Sequence, residues 1–343
     1  MSAGSQRATL AMVAEAAGVS LPTVSKVLNG RGDVAPATRE RVQEVLRELG
    51  YVPQPGRRAA PARVIDLVFD DLVSPYSLEV LRGVTDAGAE LGVDVVVGRP
   101  PEREEDWARR LRSAGREGLI VVTSELTREQ VEGFARAGLP LVVIDPLNLP
   151  RVEVTSVGAT NWNGGLTATE HLLSLGHRRI AYAGGPVQAS CSQARQHGYR
   201  GALENAGIPA DPDLILHGAF GYPNGLEMGG RLLDLPEPPT AVFAGSDATA
   251  LGVVEAARRR GLRVPEDLSV VGFDDTMLAE LATPALTTVR QPLQDMGRVA
   301  LRTLLRLAAG DTLDSHHVEL ATHLVVRDST TTRKEHHDAA DLA

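Results

Sequence analysis

TLAMVAEAAGVSLPTVSKVLNG, residues 9–30, decides how the chain begins. Thr9 is a natural N-cap, and Leu10, Val13, Ala14 and Ala17 recur on one helical face before Gly18 stops the helix. Ser20 caps a second helix, in which Pro22 is tolerated because first-turn amides have no intrahelical partner. On that helix Val24, Val27 and Leu28 turn inward, while Leu21, Pro22 and Lys26 turn outward. A third helix starts at Pro36, carries Val42, Val45, Leu46 and Leu49 on its apolar side, and is closed by Gly50. Two short helices at a steep angle across a Gly18–Val19–Ser20 turn make a helix-turn-helix, whose second helix can enter a major groove. Lys26 can donate to guanine O6 and N7, and the apolar tips of Leu21 and Pro22 suit thymine methyls. Thr9 and Leu10 on the first helix join the candidate DNA-binding set. Ser20, Thr23, Ser25, Asn29 and Thr38 complete it with hydroxyls and an amide suited to phosphate. The other reading of the pattern is a small helical protein-interaction domain.

Charge is unevenly placed. The net charge is −9 over 343 residues, yet residues 1–63 hold nine basic side chains against five acidic ones. That balance is +4 for the first 63 residues and −13 for the rest, which suits a polyanion-binding head on an acidic body. With 43% hydrophobic and 23% charged residues the chain is globular, not disordered. No apolar run reaches the roughly 18 residues needed to span a bilayer. The first residues place Glu15 inside their only apolar stretch and lack a signal-peptide layout. The single cysteine, Cys191, excludes an internal disulfide and a cysteine-rich zinc site. The expected compartment is the cytoplasm.

YVPQPGRRAAPAR, residues 51–63, holds three prolines and no sustained periodicity, and reads as a linker. Beyond it, apolar runs at 64–69, 93–97, 119–122 and 141–144 alternate with helical stretches, and a second series follows at 180–183, 241–244 and 269–273. Runs this apolar suit strands buried on both faces. The fold expected is an all-α head followed by an α/β body of two doubly wound parallel-sheet subdomains with a cleft between them. Acidic residues follow the strands: Asp70 and Asp71, Asp145, Asp247, and Asp274 and Asp275. Carboxylates converging on one cleft can each accept two hydroxyl hydrogen bonds, as a sugar ring demands. Arg195 adds a rigid donor fork, and Tyr76, Trp162 and Phe220 offer aromatic faces. For Asp71, Asp247 and Asp275, capping of the following helix is an equal alternative to ligand contact. Trp162 and Phe220 are equally candidates for core or interface.

Enzyme motifs are missing: there is no GxGxxG after the first strand, no phosphate loop and no GxSxG elbow. The carboxylates suggest a glycosidase pair only weakly, so neither catalysis nor a cofactor is expected. His336 and His337 beside Glu335 and Asp338 belong to a polar, aperiodic end, read as a solvated, disordered tail rather than a metal site.

VAEAAGVSLPTVSKVLNG at 13–30 and VAPATRERVQEVLRELGYVP at 34–53 resemble the head of the LacI/GalR family of bacterial transcription regulators. EHLLSLGHRRIAYAGGP (170–186), RQHGYRGALENAGI (195–208), PPTAVFAGSDATALG (238–252), GLRVPEDLSVVGFDD (261–275) and PALTTVRQP (284–292) extend the resemblance over nearly the whole chain. It implies a ligand-responsive repressor that binds a palindromic operator as a homodimer. It also implies that Asp145, Arg195, Phe220, Ser246 and Asp274 line an effector pocket, with Asp70 and Tyr76 beside further pocket positions. A mono- or oligosaccharide suits these residues better than a nucleobase, because Ala189 and Cys191 stand where purine-sensing members add polar contacts. The expected division is a head at 1–50, a linker at 51–63, one subdomain from 64–160 with 291–319, another from 161–290 with 320–330, and a tail at 331–343.

One region departs from the family. Its linker usually carries an Asn-x-x-Ala-x-x-Leu helix whose leucines wedge into the minor groove. Here Gln54 stands for the Asn and Ala60 for the Leu, and Pro55, Gly56 and Pro61 disfavour a helix. Arg57, Arg58 and Arg63 either hold phosphates in compensation or simply keep the linker soluble. The tail has no leucine heptads, so a dimer is expected and not a tetramer. A periplasmic sugar-binding protein of transport would share the body but has no use for residues 9–50. A DNA-binding regulator uncoupled from ligand by the altered linker is the third reading.

Overall fold

The structure, a computed structural model, describes residues 8–28, 34–51, 63–101, 106–147 and 154–333. It divides into two compact units, Met1–Ala62 and Arg63–Ala343.

In the first unit, helices α1 (Leu10–Ala16), α2 (Leu21–Leu28) and α3 (Pro36–Glu48) enclose a small core in which Val13, Val24 and Val42 are fully buried. Thr9 Oγ1 accepts from the Met12 amide at 3.4 Å, as an N-cap should. Gly18, at φ +63°, takes the left-handed conformation that ends α1 without a Cβ penalty. The chain then turns by 106° into α2, where Ser20 Oγ accepts from the Thr23 amide at 3.4 Å. Asn29, and the linker positions Gln54, Arg57, Arg58 and Ala60, lie outside the described residues.

The second unit holds two six-stranded sheets. One contains β1 (Arg63–Phe69), β2 (Val93–Gly98), β3 (Leu119–Val122), β4 (Leu141–Ile144), β5 (Thr155–Ala159) and β11 (His317–Leu320), ordered β11-β5-β4-β3-β1-β2. Helices α4 (Pro75–Leu91) and α12 (Leu293–Ala309) cover one face, burying Val80, Val84, Leu301 and Leu304 against Ile65, Leu67 and Ile144. Helices α5 (Trp107–Ser113) and α6 (Arg128–Ala137) cover the other with Trp107, Leu111 and Phe134. The other sheet contains β6 (Ile180–Gly184), β7 (Ile215–His217), β8 (Ala241–Ala244), β9 (Ser269–Asp274), β10 (Thr287–Arg290) and β12 (His323–Val325), ordered β12-β10-β9-β8-β6-β7. Its faces are covered by α9 (Tyr222–Leu233) with α10 (Asp247–Arg259), and by α7 (Asn161–Ser174) with α8 (Ser190–Asn205). A short α11 (Met277–Leu281) follows β9. The pairs are parallel apart from β10 with β12.

Every apolar run read as a strand is one. Sequence reading missed β5, β7, β10, β11 and β12, which are short and, apart from the threonine-rich β10, only partly apolar. Arg63 belongs to β1 and not to a linker: its guanidinium grips Glu117 at 2.7–3.0 Å, so it is committed to the sheet and not to phosphate. Thr331–Arg333 are likewise no free tail. The Thr331 amide donates to Ser269 Oγ at 3.1 Å and the Arg333 amide to the Leu175 carbonyl at 2.9 Å. Residues 334–343 lie outside the described residues.

The chain passes between the sheets three times, after β5, after β10 and between β11 and β12. The first and third passages are bolted together, since the Thr322 amide donates to Thr160 Oγ1 at 2.9 Å and the Thr160 amide to the Leu320 carbonyl at 2.9 Å.

Candidate functional site

In each sheet the strand order reverses about one strand: β1 lies between β2 and β3, and β6 between β7 and β8. Loops leave such a point in opposite directions and open a crevice at the carboxyl ends of the strands. The two crevices form one cavity of about 550 Å³. The first sheet lends it Asp70 and Asp71 after β1, Tyr76 from α4, Thr123 after β3 and Asp145 after β4. The second lends it Arg195 from α8, Phe220 before α9, Ser246 before α10 and Asp274 at the end of β9. Thr123, Asp145, Asp274 and Asp275 all have positive φ, at 43°, 41°, 115° and 57°. Strained backbone in non-glycine residues gathers at sites where the fold has other reasons to hold it.

Arg195 is 3% exposed. Its Nε donates to Asn161 Oδ1 at 2.8 Å and its Nη1 to the Gly245 carbonyl at 2.6 Å, and Nη1 stands 3.9 Å from Asp274 Oδ1. The guanidinium carbon lies 3.8 Å from the centre of the Phe273 ring and 5.6 Å from that of Phe220. Among the described residues Nη2 donates to nothing, so half the fork is left for a ligand. Asp145 Oδ2 accepts from Tyr76 Oη at 2.9 Å. Asp274 Oδ1 accepts from Gln291 Nε2 at 2.7 Å. Burial pushes both carboxyls above the ordinary range, and the single guanidinium of Arg195 only partly offsets this. Asp70 is also raised by burial. Burial and the Asp145 carboxyl raise Tyr76 well above the phenol range, so it stays a donor.

Eight of the ten expected ligand residues therefore line one cavity: Asp70, Asp71, Tyr76, Asp145, Arg195, Phe220, Ser246 and Asp274. Two do not. Trp162 follows the inward-facing Asn161 on α7, and the next residue of a helix lies about 100° further round; it is 46% exposed on the outer side. Asp247 is buried, but both its oxygens are engaged by Thr276 and Thr288. Asp71 and Ser246 line the cavity and also order their own turns, Asp71 Oδ1 accepting from the Val73 amide and Ser246 Oγ from the Thr249 amide. Asp275 lies outside the cavity and pairs with Arg290 and, at 2.7 Å, Arg327.

Sequence reading missed Asn161 and Gln291, the two amides that orient Arg195 and Asp274. Their only signal is a polar residue where a helix or a chain crossing begins.

On the head, Leu21, Pro22 and Lys26 form the exposed side of α2, opposite buried Val24 and Val27. Thr9 and Ser20 are exposed, and Leu10, Thr23, Ser25 and Thr38 are half-buried.

Comparison with known proteins agrees with both units. Residues 9–54 match the family described as bacterial regulatory proteins, lacI family, and residues 169–330 match a periplasmic binding protein-like domain. The chain is 38% identical over 335 residues to the HTH-type transcriptional regulator CelR of Thermobifida fusca, covering 94% of this chain and 98% of that one. It is 36% identical to the HTH-type transcriptional repressor CytR of Escherichia coli K12, covering 94% and 96%. Among solved structures, a CelR–cellobiose complex is 38% identical with a TM-score of 0.72, covering 94% and 100%. The lac repressor dimer bound to operator and the anti-inducer ONPF is 28% identical with a TM-score of 0.78, covering 95% and 100%. With helix-turn-helix head, paired parallel sheets and full-length relatives in agreement, this chain belongs to the lacI family of bacterial regulatory proteins.

Proposed function

We propose that the protein is a sugar-responsive transcription repressor of the cytoplasm that binds a palindromic operator as a homodimer. One short helix-turn-helix makes too few base contacts for specificity alone, and two heads related by a dimer axis double them. Lys26, Leu21 and Pro22 read bases; Thr9, Leu10, Ser20, Thr23, Ser25, Asn29 and Thr38, with Arg57 and Arg58 of the linker, hold the backbone.

The observation that carries the ligand reading is the buried fork of Arg195, lining the same cavity as Asp274 and Asp145. Adjacent hydroxyls of a sugar can accept from that fork and exchange hydrogen bonds with the two carboxyls. Tyr76 and Asp70 extend the polar wall, and Phe220 supports an apolar ring face. A cavity of about 550 Å³ lies within the ordinary range of small-molecule sites, roughly 300–1,000 Å³, and suits a mono- or oligosaccharide. Sugar contacts both subdomains, so binding draws them together. Operator affinity then shifts by the differential affinity of the sugar for the two states.

The test is fluorescence anisotropy on DNA from upstream of the protein's own gene, at fixed salt with random competitor, across mono- and disaccharides. Fixed salt matters because phosphate contacts make affinity steeply salt-dependent. Competitor-resistant binding weakened by one sugar of the panel is the expected result. Operator binding unmoved by every sugar overturns the ligand reading and leaves the DNA reading standing.

A further inference from the structure

Asp247 is a buried carboxylate that does not line the cavity, yet it ties two of the strand ends from which the cavity is built, those of β8 and β9, to strand β10. It is the first residue of α10, directly after the cavity residue Ser246, and it is 1% exposed. Its Oδ2 accepts from the Thr276 amide at 2.7 Å and from Thr276 Oγ1 at 3.0 Å, and its Oδ1 accepts from Thr288 Oγ1 at 2.6 Å. Thr276 closes the turn after β9, in which Asp274 and Asp275 both hold positive φ. Thr288 lies on β10, which leads directly into Gln291, the partner of Asp274. The fold makes room for this carboxylate at Gly272 of β9, where a Cβ would stand 2.7 Å from Asp247 Oδ1.

We propose that Asp247 is a positioning residue for ligand binding, which fixes the strained Asp274–Asp275 turn and the β10 crossing so that the Asp274 carboxyl stands beside Arg195 in the cavity wall. The inference rests on the sugar reading for what Asp274 binds, but not for the turn itself. A backbone with two consecutive left-handed non-glycine residues relaxes unless something holds it. Asp247 supplies that hold from the amide two residues beyond Asp274. Asp275, gripped by Arg290 and Arg327, holds the same turn from the outside.

The experiment compares Asp247→Ala, Asp247→Asn and Thr288→Val in the full chain, by amide hydrogen exchange over residues 273–277 and by sugar titration. The Asn side chain can keep its oxygen on Thr276 and donate to Thr288 Oγ1, so it restores the clamp without the charge. Asp247→Ala is expected to raise exchange in this turn at least tenfold, with the other strands protected, and to weaken the sugar at least tenfold. Asp247→Asn recovers most of both. Thr288→Val, which keeps the volume and removes one hydrogen bond, gives a smaller change in the same direction, and it decides the matter if the alanine variant does not fold. Wild-type exchange in the turn of a folded Asp247→Ala protein, or of Thr288→Val where the alanine variant does not fold, overturns the proposal. If no sugar binds the wild type, the ligand reading fails, and the exchange measurement still decides the role of Asp247.

Discussion

A single guanidinium carries the proposed ligand site, and its surroundings say how it will respond to change. Arg195 is fixed by Asn161, Gly245 and the Phe273 ring before any ligand arrives, so little side-chain freedom is left to lose on binding. Arg195→Ala should weaken the sugar by a hundredfold or more while operator affinity stays within about twofold, read by calorimetry and by anisotropy. Arg195→Lys should recover little, because an ammonium cannot reach Asn161, Gly245 and a ligand together. Residues of this kind were legible in the sequence, since an arginine and aspartates at the ends of apolar runs have few structural uses. Asn161 and Gln291 were not legible: an amide that orients another side chain leaves no pattern in one dimension. Asp247 was legible only as either a ligand contact or a helix cap, because a strand-end aspartate looks the same from either side of the turn.

Asp247 also sets a pH dependence. Burial pushes its carboxyl from the ordinary 3.8 up to about 6. The stability that its neutral form contributes is therefore complete below about 3.8, is lost as pH rises through about 6, and is constant above. Within that window the slope is at most about 1.4 kcal/mol per pH unit. Asp247→Asn removes the ionisation, so its melting temperature should gain on that of the wild type between pH 4.5 and pH 7.5. An identical difference at both pH values would show that Asp247 does not titrate in the folded chain.

Elements place these residues through close helix contacts. A Cβ on Gly165 of α7 would stand 2.2 Å from the Arg195 carbonyl of α8, and one on Gly198 of α8 would stand 2.1 Å from the Trp162 carbonyl. Backbone meets backbone at this crossing, and neither side can yield by a rotamer change. Gly165→Ala should push α8 outward, costing about 1–3 kcal/mol as overpacking does. It should also draw Arg195 away from Asn161, so that chemical denaturation and sugar titration both register the change. The central strands were legible because a run buried on both faces is apolar throughout, as in LIVV at β3 and LVVI at β4. TSVGA, ILH, TTVR, HVEL and HLV were not. The missed strands all take the edge or next-to-edge places in their sheets, where hydrogen bonding to a good neighbour recruits a strand that its own composition would not specify.

At the scale of the whole molecule, the proposed repressor is a dimer, and sedimentation at micromolar concentration should give twice 36.4 kDa, where a tetramer would give four times 36.4 kDa. The paired sheets and the head were both legible, because alternating apolar runs and a helix-turn-helix spacing are local patterns. The joining of the two sheets was harder to read, since β11 and β12 are separated from their sheet partners by more than a hundred residues or lie beside strands that carry little apolar signal. That joining governs how the protein must be made. Helix α12 and strand β11 complete the first sheet, yet they are translated only after nearly all of the second sheet. While the ribosome is still adding residues 161–290, Ile65, Leu67 and Ile144 have no α12 to cover them. A nascent chain of this design exposes an unfinished apolar face through most of its synthesis, and that face is a target for chaperones and for premature association. The first subdomain to emerge is thus among the last to be finished, and a stop codon anywhere before residue 293 would leave both lobes incomplete.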